Sequence, residues 1–391
     1  QRTAVSKARV PERAAVLWTT PTSIRSERLT PPIAVGQAIF VAGTDGIVRR
    51  LDANSGVLEG MYATGGEIKI APTYWKGRVF VGSGDGWVYA LSQDLNAVIW
   101  KYRAAPAQRS IPVYGKLLST WPAGSGVLVH KGIAYVAAGR VNYDGTYVYA
   151  LDAATGQPIW CNDDSGFLDP EARTGVSVMG HLLLHKNRLY LAGGNAVSPA
   201  VFDVDSGKCL NDPAPLRRCE STAPRGWELF LVGDKVVACG KPFYSRPELP
   251  VYDHTVEKKI LHARSGDRDV VWLDNRVLAG FDSIPTKELN ACVTNRKVPR
   301  HITQAWGKFR VSQKPKWRFD CPESVAIAVT SNAVLVADRV KLTALRLADG
   351  SRMWQVKLPA APVPWGLAVT SDGTAVLTLE NGQTLAVGRK D

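Results

Sequence analysis

The chain of 391 residues contains no apolar run approaching the ~20 residues that a helix needs to cross a bilayer, which argues against a helical membrane span. Its six cysteines, Cys161, Cys209, Cys219, Cys239, Cys292 and Cys321, form no C-x-x-C pair and no C-x-x-C-H haem attachment site. Zinc and dithiol redox chemistry are therefore not indicated. A Gly-rich phosphate loop and a G-x-S-x-G nucleophile turn are missing. So are zinc-finger spacing and RNA-binding signatures, and the basic residues never gather into a long tract. Nucleic acid is accordingly the least favoured partner. The sequence opens at Gln1 with no methionine and no apolar signal core, as expected of a mature or trimmed form.

What is present is ordinary in bulk: 45% hydrophobic and 21% charged residues, as in a folded soluble domain. Lys+Arg 48 against Asp+Glu 35 gives a net charge of +13. That charge fits either a solvated basic surface or an anionic partner such as an acidic polysaccharide or lipid headgroups. Cys239 lies in the apolar run VVACG and reads as a buried thiol. Cys209 and Cys219 flank a Pro-containing loop and are placed for a local disulfide, a pairing that spacing alone leaves open.

The length is explained by repetition. The best-formed unit is GIAYVAAGRVNYDGTYVYALDAATGQPIWCN, residues 132–162. It reads as three strands: Ile133 to Ala138, Thr146 to Asp152, and a third ending at Trp160. Asp144-Gly145 and Thr155-Gly156 supply the positive-φ positions that tight turns need. Copies recur at residues 37–62 and 77–102, then as NRLYLAGGNAVSPAVFDVDSGKCLND, NAVLVADRVKLTALRLADGSRMWQV and TAVLTLENGQTLAVGRKD. The central position of the second strand falls at Leu51, Leu91, Leu151, Phe202, Tyr252, Leu345 and Leu385. A weaker unit, VVWLDNRVLAGFD with a strand expected near Ala291-Cys292-Val293, brings the number to eight. Repeats of this period built from short strands predict propeller blades. The last copy lacks its tryptophan-bearing strand, and Ala14 to Trp18 looks like that strand. Pairing it with residues 375–388 would close the ring and cover an open edge. The expectation is one all-β domain over 1–391, an eight-bladed propeller closed by an N-terminal strand, with residues 1–12 an extension.

The residues Tyr149-Ala150-Leu151-Asp152 to Thr155-Gly156 and Trp160 resemble the PQQ-like, quinoprotein-type repeat A-L-D-x-x-T-G-x-x-x-W. The likeness is specific over 37–213 and 325–391 and faint over 223–324. In that family the tryptophan packs between neighbouring blades, a role that the resemblance implies for Trp18, Trp100, Trp160, Trp317 and Trp354. Quinoprotein alcohol dehydrogenases with this repeat bind pyrroloquinoline quinone and calcium, are substantially longer, and typically show an adjacent Cys-Cys pair. This chain has no adjacent cysteines, so neither quinone nor metal is expected. In architecture it looks closer to the BamB type, which binds protein partners without catalysis. Stretches such as IPVYGKLLSTWPAGSGVLVHKGIAYVAAG resemble secreted PQQ-like propellers of planctomycete-type bacteria, implying a periplasmic or extracellular location.

Loops 103–126, 139–145, 163–181 and 193–199 are long or unusual insertions, and a ring needs only short turns. They nominate Arg109, Trp121, Tyr143, Arg173, His181 and Asn195 as ligand-binding residues. Aromatic, Arg and Asn together suit a sugar acid, the ring stacking and the guanidinium pairing a carboxylate. His181 and His185 lie in GHLLLHKNRLY, which reads as strand–turn–strand, so the two do not converge on a metal. Two functions stand. The first is a non-enzymatic envelope or extracellular propeller that binds a protein or an anionic glycan. The second is a polysaccharide lyase or glycoside hydrolase with its site at the channel mouth. A pocket joining a His or Tyr to an Arg and a carboxylate would favour the enzyme, and a flat face the scaffold.

Overall fold

A computed structural model describes residues 5–21, 26–113, 115–168, 175–193, 197, 199–211, 228–239, 260–273, 276–293 and 311–389. The described residues are almost wholly β. Four strands, Ile33–Val35, Ala38–Ala42, Ile47–Asp52 and Leu58–Ala63, form antiparallel sheet A in chain order. Sheet B repeats the pattern with Thr73–Trp75, Arg78–Gly82, Trp87–Ser92 and Val98–Arg103. Sheet C comprises Val127–His130, Ile133–Ala138, Tyr147–Asp152 and Pro158–Asn162. Sheet D has three strands, Leu182–His185, Arg188–Leu191 and Ala200–Asp203, and sheet E two, Glu228–Val232 and Lys235–Cys239. Sheet F runs Ile260–Ser265, Arg268–Leu273, Val277–Asp282 and Trp317–Asp320. Sheet G runs Ala326–Val329, Ala333–Ala337, Lys341–Arg346 and Arg352–Lys357. Sheet H joins Pro362–Val369, Ala375–Leu379 and Thr384–Gly388 to the N-terminal strand Ala15–Thr19. A separate hairpin, Ser110–Val113 with Lys116–Ser119, stands between sheets B and C.

Burial along each sheet follows from stacking face to face. Second strands such as Ala38–Ala42, Ala333–Ala337 and Ala375–Leu379 are buried at every position, because a neighbouring sheet covers each face. Outermost strands alternate instead, as Leu58–Ala63 does, with one face packed and one wet. First strands of consecutive sheets touch: B against C, C against D, D against E, E against F, F against G and G against H. The first strand of sheet A lies against that of sheet H, so the two ends of the series meet.

The repeat motif has a local reason. Its aspartate closes the turn: Asp152 Oδ1 accepts from the Ala154 and Thr155 amides at 2.9 and 2.7 Å, and Asp52 and Asp203 do the same in their own sheets. Its glycine follows at positive φ: Gly56, Gly156, Gly207 and Gly350. A tryptophan from the preceding sheet lies flat on each, so a Cβ there would enter the indole ring. Each indole Nε1 also donates to a turn carbonyl: Trp18 to Ala53 (3.0 Å), Trp100 to Ala153 (3.2 Å), Trp160 to Val204 (2.8 Å) and Trp317 to Leu347 (3.0 Å). The implied tryptophan packing between sheets is thus present.

The N-terminal strand pairs where the sequence places it. Ala15 faces Gly388, Val16 faces Val387 and Trp18 faces Ala386, with a bulge between Val16 and Trp18. Residues 5–12 form a strap that bonds into the ring rather than a loose extension. Asn332 holds Val10 through both backbone groups at 2.9 Å, and Ser331 donates to the Ala8 carbonyl. Trp354 Nε1 donates to the Pro11 carbonyl at 2.9 Å, so the strap supplies the acceptor that a turn carbonyl supplies to the other indoles.

One expectation fails. Ala291–Val293 is not a strand but the end of the helix α1, Thr286–Val293. Pro285 opens it by accepting from the Glu288 and Leu289 amides, and Lys-Glu-Leu-Asn-Ala suits a helix better than an edge strand. The strand that completes sheet F is Trp317–Asp320, paired to Val277–Asp282. Tyr252, Cys219 and the loop expected to close a disulfide with Cys209 lie outside the described residues.

Candidate functional site

Three of the nominated residues come together. Arg109 immediately precedes the separate hairpin and Trp121 follows it, joined by the bond from the Thr120 amide to the Arg109 carbonyl at 2.9 Å. Arg109 Nε donates to Thr120 Oγ1 at 3.0 Å, and its guanidinium lies 4.8 Å from the Trp121 ring centre. This is a cation–π stack at a partly exposed site. Trp121 is 8% exposed and donates from Nε1 to the Asp144 carbonyl at 2.5 Å. Its ring meets Tyr147 edge-on at 6.4 Å. The Asp144 carboxylate is 3.8 Å from Arg109 Nη2, which leaves the Arg109 side chain 58% exposed. Tyr143 sits on the helical turn Asn142–Asp144 with 64% of its surface in water.

Trp121 is therefore a structural anchor, while Arg109 and Tyr143 project from it. The turn Asn142–Asp144 packs on a second turn, Ser165–Phe167, whose Phe167 is 45% exposed. On the hairpin Leu117 is 70% exposed, and Lys116 Nζ reaches Glu27 at 2.9 Å on the sheet A side. The loops thus carry exposed apolar side chains together with the partly exposed Arg109 guanidinium. Arg173 and Asn195 lie outside the described residues.

His181 stands elsewhere. Its Nε2 is 3.2 Å from the Leu229 carbonyl, and it lines a cavity of about 520 Å³ among sheets D, E and F, helix α1 and the strap. His185 ends strand Leu182–His185, four residues along extended chain from His181, a run that at about 3.3 Å per residue carries the two rings apart. Sequence reading missed the polar cluster beside this cavity. Arg264 and Asp269 face each other across the hairpin that joins the first two strands of sheet F. Arg264 clamps Asp269 through Nε and Nη2, both at 2.7 Å. His262 Nε2 is 2.8 Å from Asp269 Oδ1, and the Ile284 amide donates to Oδ2 at 2.5 Å. Burial raises the carboxyl pKa, but the hydrogen bonds from His262, Arg264 and Ile284 outweigh it and hold Asp269 far below the usual carboxylate range. The signal was legible in principle: His262 and Arg264 share one face of a strand by period two, with an aspartate returning across a Ser-Gly turn.

His, Arg and carboxylate within bonding reach is the arrangement that would favour an enzyme. The chemistry argues otherwise. Asp269 is 0% exposed and its two oxygens already accept four contacts, so it is no base for a substrate. Thiol chemistry is similarly discouraged. Burial raises Cys161 and Cys209, and pushes the Cys321 thiol up to about 11, so all three are protonated at neutral pH. Among the described residues no helix is long and apolar enough to cross a membrane.

Comparison with known proteins places these features in context. Residues 9–208 match the family described as outer membrane protein assembly factor BamB. A curated relative of that description from Burkholderia pseudomallei (strain K96243) is 25% identical over 183 residues, 37% of this chain and 44% of the relative. The chain thus spans under half the length of that relative. Among solved structures, the quinohemoprotein alcohol dehydrogenase from Comamonas testosteroni superposes with TM-score 0.61 at 14% identity, over 100% of this chain and 79% of that one. A europium-containing methanol dehydrogenase superposes with TM-score 0.57 at 11% identity, over 99% and 96%. At such identities the structural matches speak for the β-propeller fold alone.

Proposed function

The chain belongs to the family described as outer membrane protein assembly factor BamB, and from that membership we propose that it is a non-catalytic propeller of the cell envelope that holds partner proteins. On this reading the ring has eight blades, one for each of sheets A to H, with strand Ala15–Thr19 completing the last; the pairing of that strand with Thr384–Gly388 supports it. Residues 1–391 act as one domain. The periplasm or the outer surface is its compartment, and no bound quinone or metal is needed.

The observation that carries this reading is the surface around Arg109. Hairpin 110–119 and the turns at 142–144 and 165–167 add nothing to the ring's closure, yet they expose Leu117, Tyr143 and Phe167 on the same loops that carry the partly exposed, Asp144-paired guanidinium of Arg109. Exposed aromatics with an arginine are what protein interfaces are enriched in. A catalytic site would instead converge acid and base groups on one reacting atom.

The test is photo-crosslinking in cells from positions 117, 143 and 167, with position 340 on sheet G as control. Protein adducts from the first three and few from the control are expected. Adducts spread evenly would remove the site. New reducing ends or unsaturated products from an acidic polysaccharide panel would instead establish the carbohydrate-active alternative.

A further inference from the structure

The cavity among sheets D, E and F is independent of the surface around Arg109, and nothing in the partner-binding role uses it. Its walls are largely leucine side chains, among them Leu183, Leu231, Leu261 and Leu289. A volume of about 520 Å³ is of the size that holds a small organic molecule. Charge enters it from one sign. Arg264 is fixed by its clamp on Asp269, and its Nη2 also donates to the Ile284 carbonyl at 2.8 Å. A guanidinium held by Nε and Nη2 keeps Nη1 for another acceptor, and among the described residues Nη1 has none. The Arg264 side chain is 39% exposed while the aspartate beneath it is sealed. Lys7 lines the same cavity from the strap, is exposed, and makes no ion pair among the described residues. The one carboxylate of the cluster, Asp269, is saturated by its own donors.

We infer that this cavity binds an organic carboxylate with an apolar body, its carboxylate taken by Arg264 Nη1 and Lys7 Nζ and its body by the leucine walls. Two cationic donors on the wall of an otherwise apolar chamber select a ligand that carries both a negative group and a hydrocarbon body. The buried Asp269 orients the guanidinium rather than competing for it, because both its oxygens are engaged. The strap is part of the site: the Ser6 amide bonds the Val329 carbonyl at 2.8 Å and Ser331 holds Ala8, which fixes Lys7 between them.

The probes are octanoate and 4-phenylbutyrate against octanol and 4-phenylbutanol, titrated calorimetrically into the full chain. The carboxylates should bind roughly tenfold or more tightly than the alcohols, the discrimination expected of hydrogen bonds to a charged group. Lys7→Gln, on an exposed side chain, should weaken carboxylate binding several-fold and leave alcohol binding unchanged. Leu183→Trp, which fills the chamber, should abolish both, with folding checked by circular dichroism. Arg264→Gln should also lose the preference, but it releases Asp269, so the first two variants decide. No heat from either carboxylate, equal affinity for the alcohols, or binding that survives Leu183→Trp would each overturn the assignment.

Discussion

Leu95 fills the space that a tryptophan on Gly60 would occupy. Gly60 faces Arg50 in sheet A as Trp100 faces Ala90 in sheet B and Trp160 faces Ala150 in sheet C. It is therefore the tryptophan position of its repeat. On the sheet B turn opposite, Leu95 adopts φ 64° and is 1% exposed, and a Cβ built on Gly60 would lie 3.8 Å from the Leu95 Cβ and overlap the Asp94 carbonyl. One large-on-small contact has been exchanged for its reverse.

That exchange predicts coupling. Leu95→Ala should destabilise by roughly 2–5 kcal/mol, the range for emptying a leucine site. Gly60→Trp alone should destabilise at least as much, through overlap with the Asp94 carbonyl and, further along the ring, with the Leu95 side chain. Combined with Leu95→Ala it should cost clearly less than the sum, and a double-mutant cycle by denaturant unfolding reads the difference. Simple additivity would show that the two sites do not share one space.

The strap predicts a second non-additivity. Trp354→Phe should cost about 1 kcal/mol for the lost bond to Pro11. In a chain lacking residues 1–11 the same substitution should add almost nothing, because the acceptor is already gone. Thermal unfolding of the four proteins tests this.

Asp269 predicts acid sensitivity. Its folded pKa lies below its unfolded value, so the stability it contributes is present above about pH 4 and is lost as pH falls below that. Asp269→Asn should be destabilised by roughly 3 kcal/mol at pH 7, since it removes the sealed carboxylate that holds His262, Arg264 and the Ile284 amide. Its stability should then fall less steeply than the native protein's between pH 4 and pH 2. Parallel slopes would mean other carboxylates govern the acid limb.

Arg109 and Trp121 should separate. Trp121→Ala should destabilise by roughly 3–5 kcal/mol, as removal of a buried aromatic does. Arg109→Ala should shift stability by no more than about 1 kcal/mol, being exposed, yet should reduce crosslinking from position 143. Equal loss of fold in both variants would make Arg109 structural.

Much of the architecture was legible because each repeat states its own turn. The aspartate that closes it, the glycine beyond and the indole that lands on the next sheet's glycine are separate physical requirements, and Asp152, Gly156 and Trp160 show all three residue types within nine residues, Trp160 covering Gly207 while Trp100 covers Gly156. The closing strand was readable for the complementary reason, a last copy without its indole and a first segment with one. Where one requirement lapses, as in sheet F, the pattern weakens: its helix α1 stands between the third and fourth strands, and Trp317 is far from the hairpin it completes. The loop side chains nominated by insertion length divided. Arg109, Trp121 and Tyr143 converge, while His181 belongs to a different cavity, because the path a loop takes across a ring is set by packing, not by its place in the chain. The Arg264–Asp269 clamp escaped notice since it is built by register across a hairpin of the faintest repeat.

The seam between Ala15–Thr19 and Thr384–Gly388 sets a condition on biosynthesis. During synthesis, strand Ala15–Thr19 emerges more than 360 residues before the strand Thr384–Gly388 that pairs with it. Until then its open backbone edge is available to any other extended segment, including the same strand of a neighbouring copy. A prematurely terminated product can never pair it. The seam therefore makes arrival of residues 384–388 the event that withdraws strand Ala15–Thr19 from exchange with its own kind.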